Sequence, residues 1–168
     1  DTVTARRTAA ASALAASYLA RPDAGHLLVV GAGRVAELLP EAYAAVRPIE
    51  RVSVWARRPE AARVMAARWR RRGLDARVAP SLQDAAVEAD IISCATLSTE
   101  PVVKGEWLRA GSHLARLREL SEPLVALSTA HLSPATRRLL QEDQLSVNAY
   151  PTLTGGFVYV GAPRYDML

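Results

Sequence analysis

The densest chemical signal in the chain is Gly31-Ala32-Gly33-Arg34-Val35-Ala36, which follows directly on the apolar run His26-Leu27-Leu28-Val29-Val30. A Gly-x-Gly-x-x-Ala spacing between a strand and a helix suits a pyrophosphate. Gly31 permits the tight turn, Gly33 lets the backbone approach a phosphate, and Ala36 lets helix and strand pack closely. The helix that opens here offers free N–H groups and a partial positive charge. The alternative is a glycine-rich turn that binds nothing. The next apolar run, Arg51-Val52-Ser53-Val54-Trp55, bears on which dinucleotide is meant. An Asp or Glu at the end of such a strand would hold a ribose 2′-hydroxyl. This strand is followed instead by Ala56-Arg57-Arg58. A guanidinium can grip a 2′-phosphate through two parallel hydrogen bonds. The residues therefore favour NADP, with NAD as second choice, unless Arg57 and Arg58 merely begin a solvated helix.

Other reactive side chains support less. Arg68-Trp69-Arg70-Arg71-Arg72 could hold phosphates and stack bases. However, Trp69 falls on an apolar stripe with Ala61 and Met65, which predicts core, so nucleic acid is the weaker reading. Cys94 lies in an apolar strand and reads as a small core residue, not a nucleophile. As the sole cysteine it excludes an intramolecular disulfide framework. His26, His113 and His131 are scattered, so no metal site is expected. The single lysine, Lys104, is expected to be solvated.

These residues need a scaffold, and the chain is long enough for one: 168 residues, half of them hydrophobic. There are 32 alanines and few aromatics, so a core of small side chains and many helices is expected. No run matches a membrane span or a signal peptide, which makes a cytoplasmic location the default. The net charge of +4 is concentrated in residues 51–80, which hold nine arginines against two acids. A preferred anion would sit there.

A helix is expected over 4–20 and strands over 26–30, 51–55, 75–78 and 90–94. Helices should lie between them: one to about Val46 interrupted near Pro40, one from Pro59 closing at Gly73, and one over 81–89. A fifth strand should open at Gly111. Strands alternating with helices mean βαβ units, a Rossmann-like parallel sheet with helices on both faces. Residues 1–116 would form this α/β domain. Residues 117–168 read as a divergent C-terminal α+β segment: a strand at 124–127, a helix from Ser133, and a hairpin of 145–150 with 157–160.

Residues 1–114 resemble the nucleotide-binding half of the ornithine cyclodeaminase/mu-crystallin family. The resemblance rests on Thr4-Ala5-Arg6-Arg7-Thr8-Ala9-Ala10-Ala11-Ser12-Ala13, the glycine motif, Val52-Ser53-Val54-Trp55, Ala89-Asp90-Ile91-Ile92-Ser93-Cys94-Ala95-Thr96, and Leu108 to Leu114. It implies an NAD(P)-dependent oxidoreductase acting on small amino or imino acids. The family's reactions include ornithine cyclodeamination, ketimine or pyrroline-carboxylate reduction, and alanine dehydrogenation. It further implies that Arg7 reaches the cofactor or a substrate carboxylate with Thr8 beside it. Gly33, Arg34 and Val35 would follow the pyrophosphate, Arg57 and Arg58 would flank the adenosine ribose, and Thr96 and Ser98 would line the nicotinamide. A homodimer is implied as well. Two family features have no counterpart here. One is a further, largely N-terminal domain that carries a catalytic lysine. The other is an aspartate after the fifth strand, where this chain reads Ala115-Arg116-Leu117-Arg118-Glu119-Leu120. Catalytic residues are left unassigned. A non-catalytic dinucleotide-binding module, or a chimeric fragment lacking the catalytic domain, is the alternative.

Overall fold

A computed structural model describes residues 2–96, 98 and 101–117, and the strands at 125–128, 146–150 and 157–161. In chain order the elements are α1 (Thr2–Leu19), β1 (His26–Val30), α2 (Arg34–Ala44), β2 (Arg51–Trp55), α3 (Pro59–Arg71), β3 (Asp75–Val78), α4 (Leu82–Glu88) and β4 (Ile91–Ala95). A 3₁₀ turn at Gly105–Trp107 leads to β5 (His113–Leu117), then β6 (Val125–Ser128), β7 (Ser146–Tyr150) and β8 (Phe157–Gly161). Six strands form one sheet in the order β3-β2-β1-β4-β5-β6. The first five are mutually parallel, and β6 runs antiparallel to β5. β7 and β8 pair antiparallel as a separate ribbon, with Tyr150 opposite Phe157. The helix expected from Ser133 lies outside the described residues.

β1 is central, and all five of its residues are buried. Covering both faces of a parallel strand selects a continuous apolar run. On one face α1, α2 and α3 pack through Ala9, Ala16, Leu39, Tyr43, Met65 and Trp69 against Leu27, Val29, Val52 and Val54. On the other, α4 and the 3₁₀ turn cover Leu28, Val30, Ile92 and Cys94. The contact face of α1 is nearly all alanine, so the helix lies close to the sheet. Arg47, beyond α2, fastens its far end by donating to the carbonyls of Ser17 and Ala20.

Several boundaries differ from expectation for local reasons. α2 runs through Pro40 to Ala44, because burial of the ring against the core offsets the hydrogen bond it cannot donate. The buried stripe of α3 is Ala62, Met65, Ala66 and Trp69, one position on from Ala61. α4 begins at Leu82 because the Ser81 hydroxyl accepts the Asp84 N–H as its cap, and it ends at Glu88. β4 begins one residue late because Asp90 is engaged as a junction. Its carboxylate accepts the N–H groups of Gly25 and His26 and the guanidinium groups of Arg21 and Arg109. β5 begins at His113, not Gly111, because Gly111 takes a positive φ of 85° and Ser112 hydrogen-bonds back to Arg109.

Candidate cofactor site

The carboxyl ends of β1, β2 and β4 meet at the glycine turn. Gly31 has φ +122°, and its N–H donates to the Trp55 carbonyl at 2.8 Å. A Cβ at Gly31 would lie 2.3 Å from the Ala95 carbonyl oxygen and 3.5 Å from the Thr96 side chain. Only glycine fits where β4 crowds the turn. Gly33 is different. It is exposed, with φ −92° and ψ −173°, and a Cβ there would meet nothing within 4 Å. The protein's own packing does not require a glycine at this position. Gly33 is also the N-cap of α2 and supplies no side-chain acceptor, so the first turn of the helix is uncapped. An approach clear of side chains to an uncapped helix N-terminus fits a phosphate.

The other expected residues fall around this turn. Arg34 is exposed at the first position of α2, and Val35 packs half-buried against the core. Thr96 and Ser98 are half-buried just past β4, where the Ser98 N–H donates to Thr96 Oγ1 at 3.3 Å. α1 ends beside the amino ends of β1 and β4, where Arg21 meets Asp90. Arg7 is exposed, while the Thr8 hydroxyl donates to the Thr4 carbonyl at 2.8 Å and leaves its oxygen as an acceptor.

Arg57 and Arg58 are exposed at the end of β2, and Arg58 is the N-cap of α3. Their surroundings set them apart from the other seven arginines of residues 51–80. Arg51 donates to His26, Arg63 pairs with Glu60, and Arg68 and Arg72 pair with Glu37. Arg70 and Arg71 donate to carbonyls of their own helix, and Arg77 pairs with Asp75. Among the described residues, Arg57 and Arg58 have no such partner. Trp69 is fully buried, and its indole N–H donates to the Glu37 carbonyl at 3.1 Å, so it offers no surface for stacking bases. Lys104 is exposed, 5.6 Å from the Trp107 ring centre. Cys94 is buried in the sheet.

Glu37 and Asp90 were not singled out by spacing, because each acts through partners distant in sequence. Asp90 is held below the ordinary carboxylate range. Burial alone would raise it, but the N–H groups of His26 and Gly25 and the charges of Arg109 and Arg21 more than offset that. His113 is fully enclosed on β5 with neither ring nitrogen hydrogen-bonded, and burial, with Arg47 nearby, lowers its pKa to about 4. Among the described residues, no three His, Cys, Asp or Glu side chains gather as a metal site. No described helix is long and apolar enough to cross a membrane.

Residues 1–118 match the model of the ornithine cyclodeaminase/mu-crystallin family. A Δ1-pyrroline-2-carboxylate reductase of Paracoccus denitrificans is 47% identical over 132 residues, covering 74% of this chain and 42% of its own length. An uncharacterized protein of Schizosaccharomyces pombe is 39% identical over 150 residues, covering 87% of this chain and 43% of its own. An alignment of that extent runs past residue 118 wherever it starts. Among solved structures, the Δ1-pyrroline-2-carboxylate reductase of Thermococcus litoralis, in complex with NADH and L-proline, superposes with a TM-score of 0.67 at 37% identity. That match covers 69% of this chain and 36% of the other. The chain thus spans less than half the length of each of these proteins. By the extent of the family match, the chain belongs to the ornithine cyclodeaminase/mu-crystallin family.

Proposed function

We propose that this chain is the NADP(H)-binding part of a cyclodeaminase- or cyclic-imine-reductase-like oxidoreductase acting on a small amino or imino acid. The observation that carries the reading is Gly33: a glycine that packing does not require, capping a helix whose first turn is left open. Gly33, Arg34 and Val35 would lie along the pyrophosphate. Arg57 and Arg58, which have no partner among the described residues, would take the 2′-phosphate, and this supports NADP over NAD. Arg7 and Thr8 would approach from the α1 end, and Thr96 and Ser98 would flank the nicotinamide. When bound, the nicotinamide supplies or accepts a hydride at the Cα of the substrate. The chain's own part is to bind, orient and neutralise charge. Moving the amine proton needs an acid or base near that carbon. β5 brings the buried His113 and Ala115 to the sheet but no carboxylate up to Ala115. Glu119, the next acid, lies outside the described residues. The lack of a carboxylate in the sequence from His113 to Arg118 favours, as a second reading, a dinucleotide-binding module without its own chemistry.

The test is a Gly33→Asp variant. Its side chain would enter the open approach and set a negative charge against the phosphates. NADPH binding should be lost while thermal unfolding stays close to that of the unsubstituted chain. Undiminished binding would show that phosphate does not pass Gly33.

A further inference from the structure

Two arginines of the basic segment, Arg68 and Arg72, are spent on one acid. Glu37, in the first turn of α2, accepts Arg72 Nη2 on one carboxylate oxygen at 2.8 Å and Arg68 Nη1 on the other at 3.2 Å. Its carboxylate side chain is only 23% exposed, while the two arginines are about half exposed. The N–H of Glu37 donates to the Gly33 carbonyl and closes the first turn behind the glycines. An acid in the first turn of a helix gains from the positive end of the dipole. A pyrophosphate at Gly33 would draw on that same positive end. Glu37 and Gly33 are four residues apart, about 6 Å along the axis, which is inside one Debye length at physiological salt. An uncompensated carboxylate would therefore oppose the ligand.

We propose that Arg68 and Arg72 are positioning residues that neutralise Glu37, so that the N-terminus of α2 stays attractive to a dinucleotide pyrophosphate. This rests on the dinucleotide reading above. It accounts for an ion-paired triad beside a phosphate-type turn, where an acid alone would be unfavourable. It also separates charge from mechanics. The bond from the Trp69 indole to the Glu37 carbonyl holds α3 against α2 without either guanidinium.

The experiment is a charge cycle on the full chain, read by NADPH and NADH binding at low and high salt. Arg68→Gln with Arg72→Gln should weaken both nucleotides alike, by about two- to five-fold at low salt, and less at high salt. Adding Glu37→Gln to that pair should restore binding. Glu37→Gln alone should bind as well as the unsubstituted chain or better. If the double variant does not unfold cooperatively, Arg72→Gln alone carries the same comparison. Loss of binding in Glu37→Gln alone, or failure of the triple variant to recover, would make the triad a mechanical clamp and overturn the proposal. Unchanged binding in the arginine variants would overturn it as well. If the folded, unsubstituted chain binds neither nucleotide, the cofactor reading falls first and takes this inference with it.

Discussion

Gly31 and Gly33 stand two residues apart and answer to different constraints. At Gly31 any Cβ would collide with the Ala95 carbonyl, and the backbone is already at φ +122°. Gly31→Ala should therefore lower stability by about 2 kcal/mol or more, read as an earlier urea midpoint. Gly33→Ala should leave that midpoint almost unchanged, since its Cβ meets nothing. A comparable loss at both sites would contradict the division of roles. His113 makes a second residue-scale prediction. Its pKa of about 4 in the folded chain lies below the ordinary 6.5, so the folded state binds fewer protons than the unfolded. Its contribution is fully present above about pH 6.5 and is lost as pH falls toward 4, amounting to roughly 3 kcal/mol. His113→Leu should flatten the stability profile across that window and leave only the smaller part due to His26, whose pKa is also lowered. Asp90, held below the carboxylate value of 3.8, governs a separate loss at still lower pH. Asp90→Asn should remove that lower step.

At the scale of elements, α1 packs through small side chains into the core it shares with α2, and one arginine ties its end. Arg47 spans the end of α1 through Ser17 and Ala20. Arg47→Ala should speed amide exchange in the last turn of α1 and leave β1 protected. Equal deprotection of β1 would mean that the helix and the sheet open together. The elements were legible where the local signal and the tertiary demand agree. β1, β2 and β3 occupy the residues their apolar runs predicted, because each is bounded by Gly, Pro or charge. α2 continues past Pro40 to Ala44, close to the expected end at about Val46, with the proline buried. The start of β5 is not legible in the sequence because the φ of Gly111 is visible only in three dimensions. At the site, the glycine turn and the two arginines after β2 are local in sequence and could be read there. The Glu37 triad and the Asp90 junction join residues 19 to 69 positions apart, and no spacing rule reaches that far. Whether Arg7 comes near the cofactor depends on the direction of α1, which the sequence alone leaves open.

Over the whole molecule, the nine arginines of residues 51–80 look like a broad anion-binding field, but the fold narrows it. Seven are engaged by acids, a histidine or helix carbonyls, and the pair with no partner among the described residues stands at the end of β2, beside the glycine turn. The sheet continues past the last parallel strand through β6, and the S. pombe similarity runs beyond residue 118. On the proposed reading, this chain binds a nicotinamide dinucleotide and selects the phosphorylated one. The most direct measurement is a side-by-side titration of the full chain with NADPH and NADH, repeated on Arg57→Ala/Arg58→Ala. Saturable binding with NADPH about ten-fold tighter or more is predicted, the value of one lost charge-assisted pair at about 1.5–3 kcal/mol. The double variant should lose that preference and keep its NADH affinity. A folded chain that binds neither nucleotide, or that binds both equally before and after the substitution, would contradict the claim.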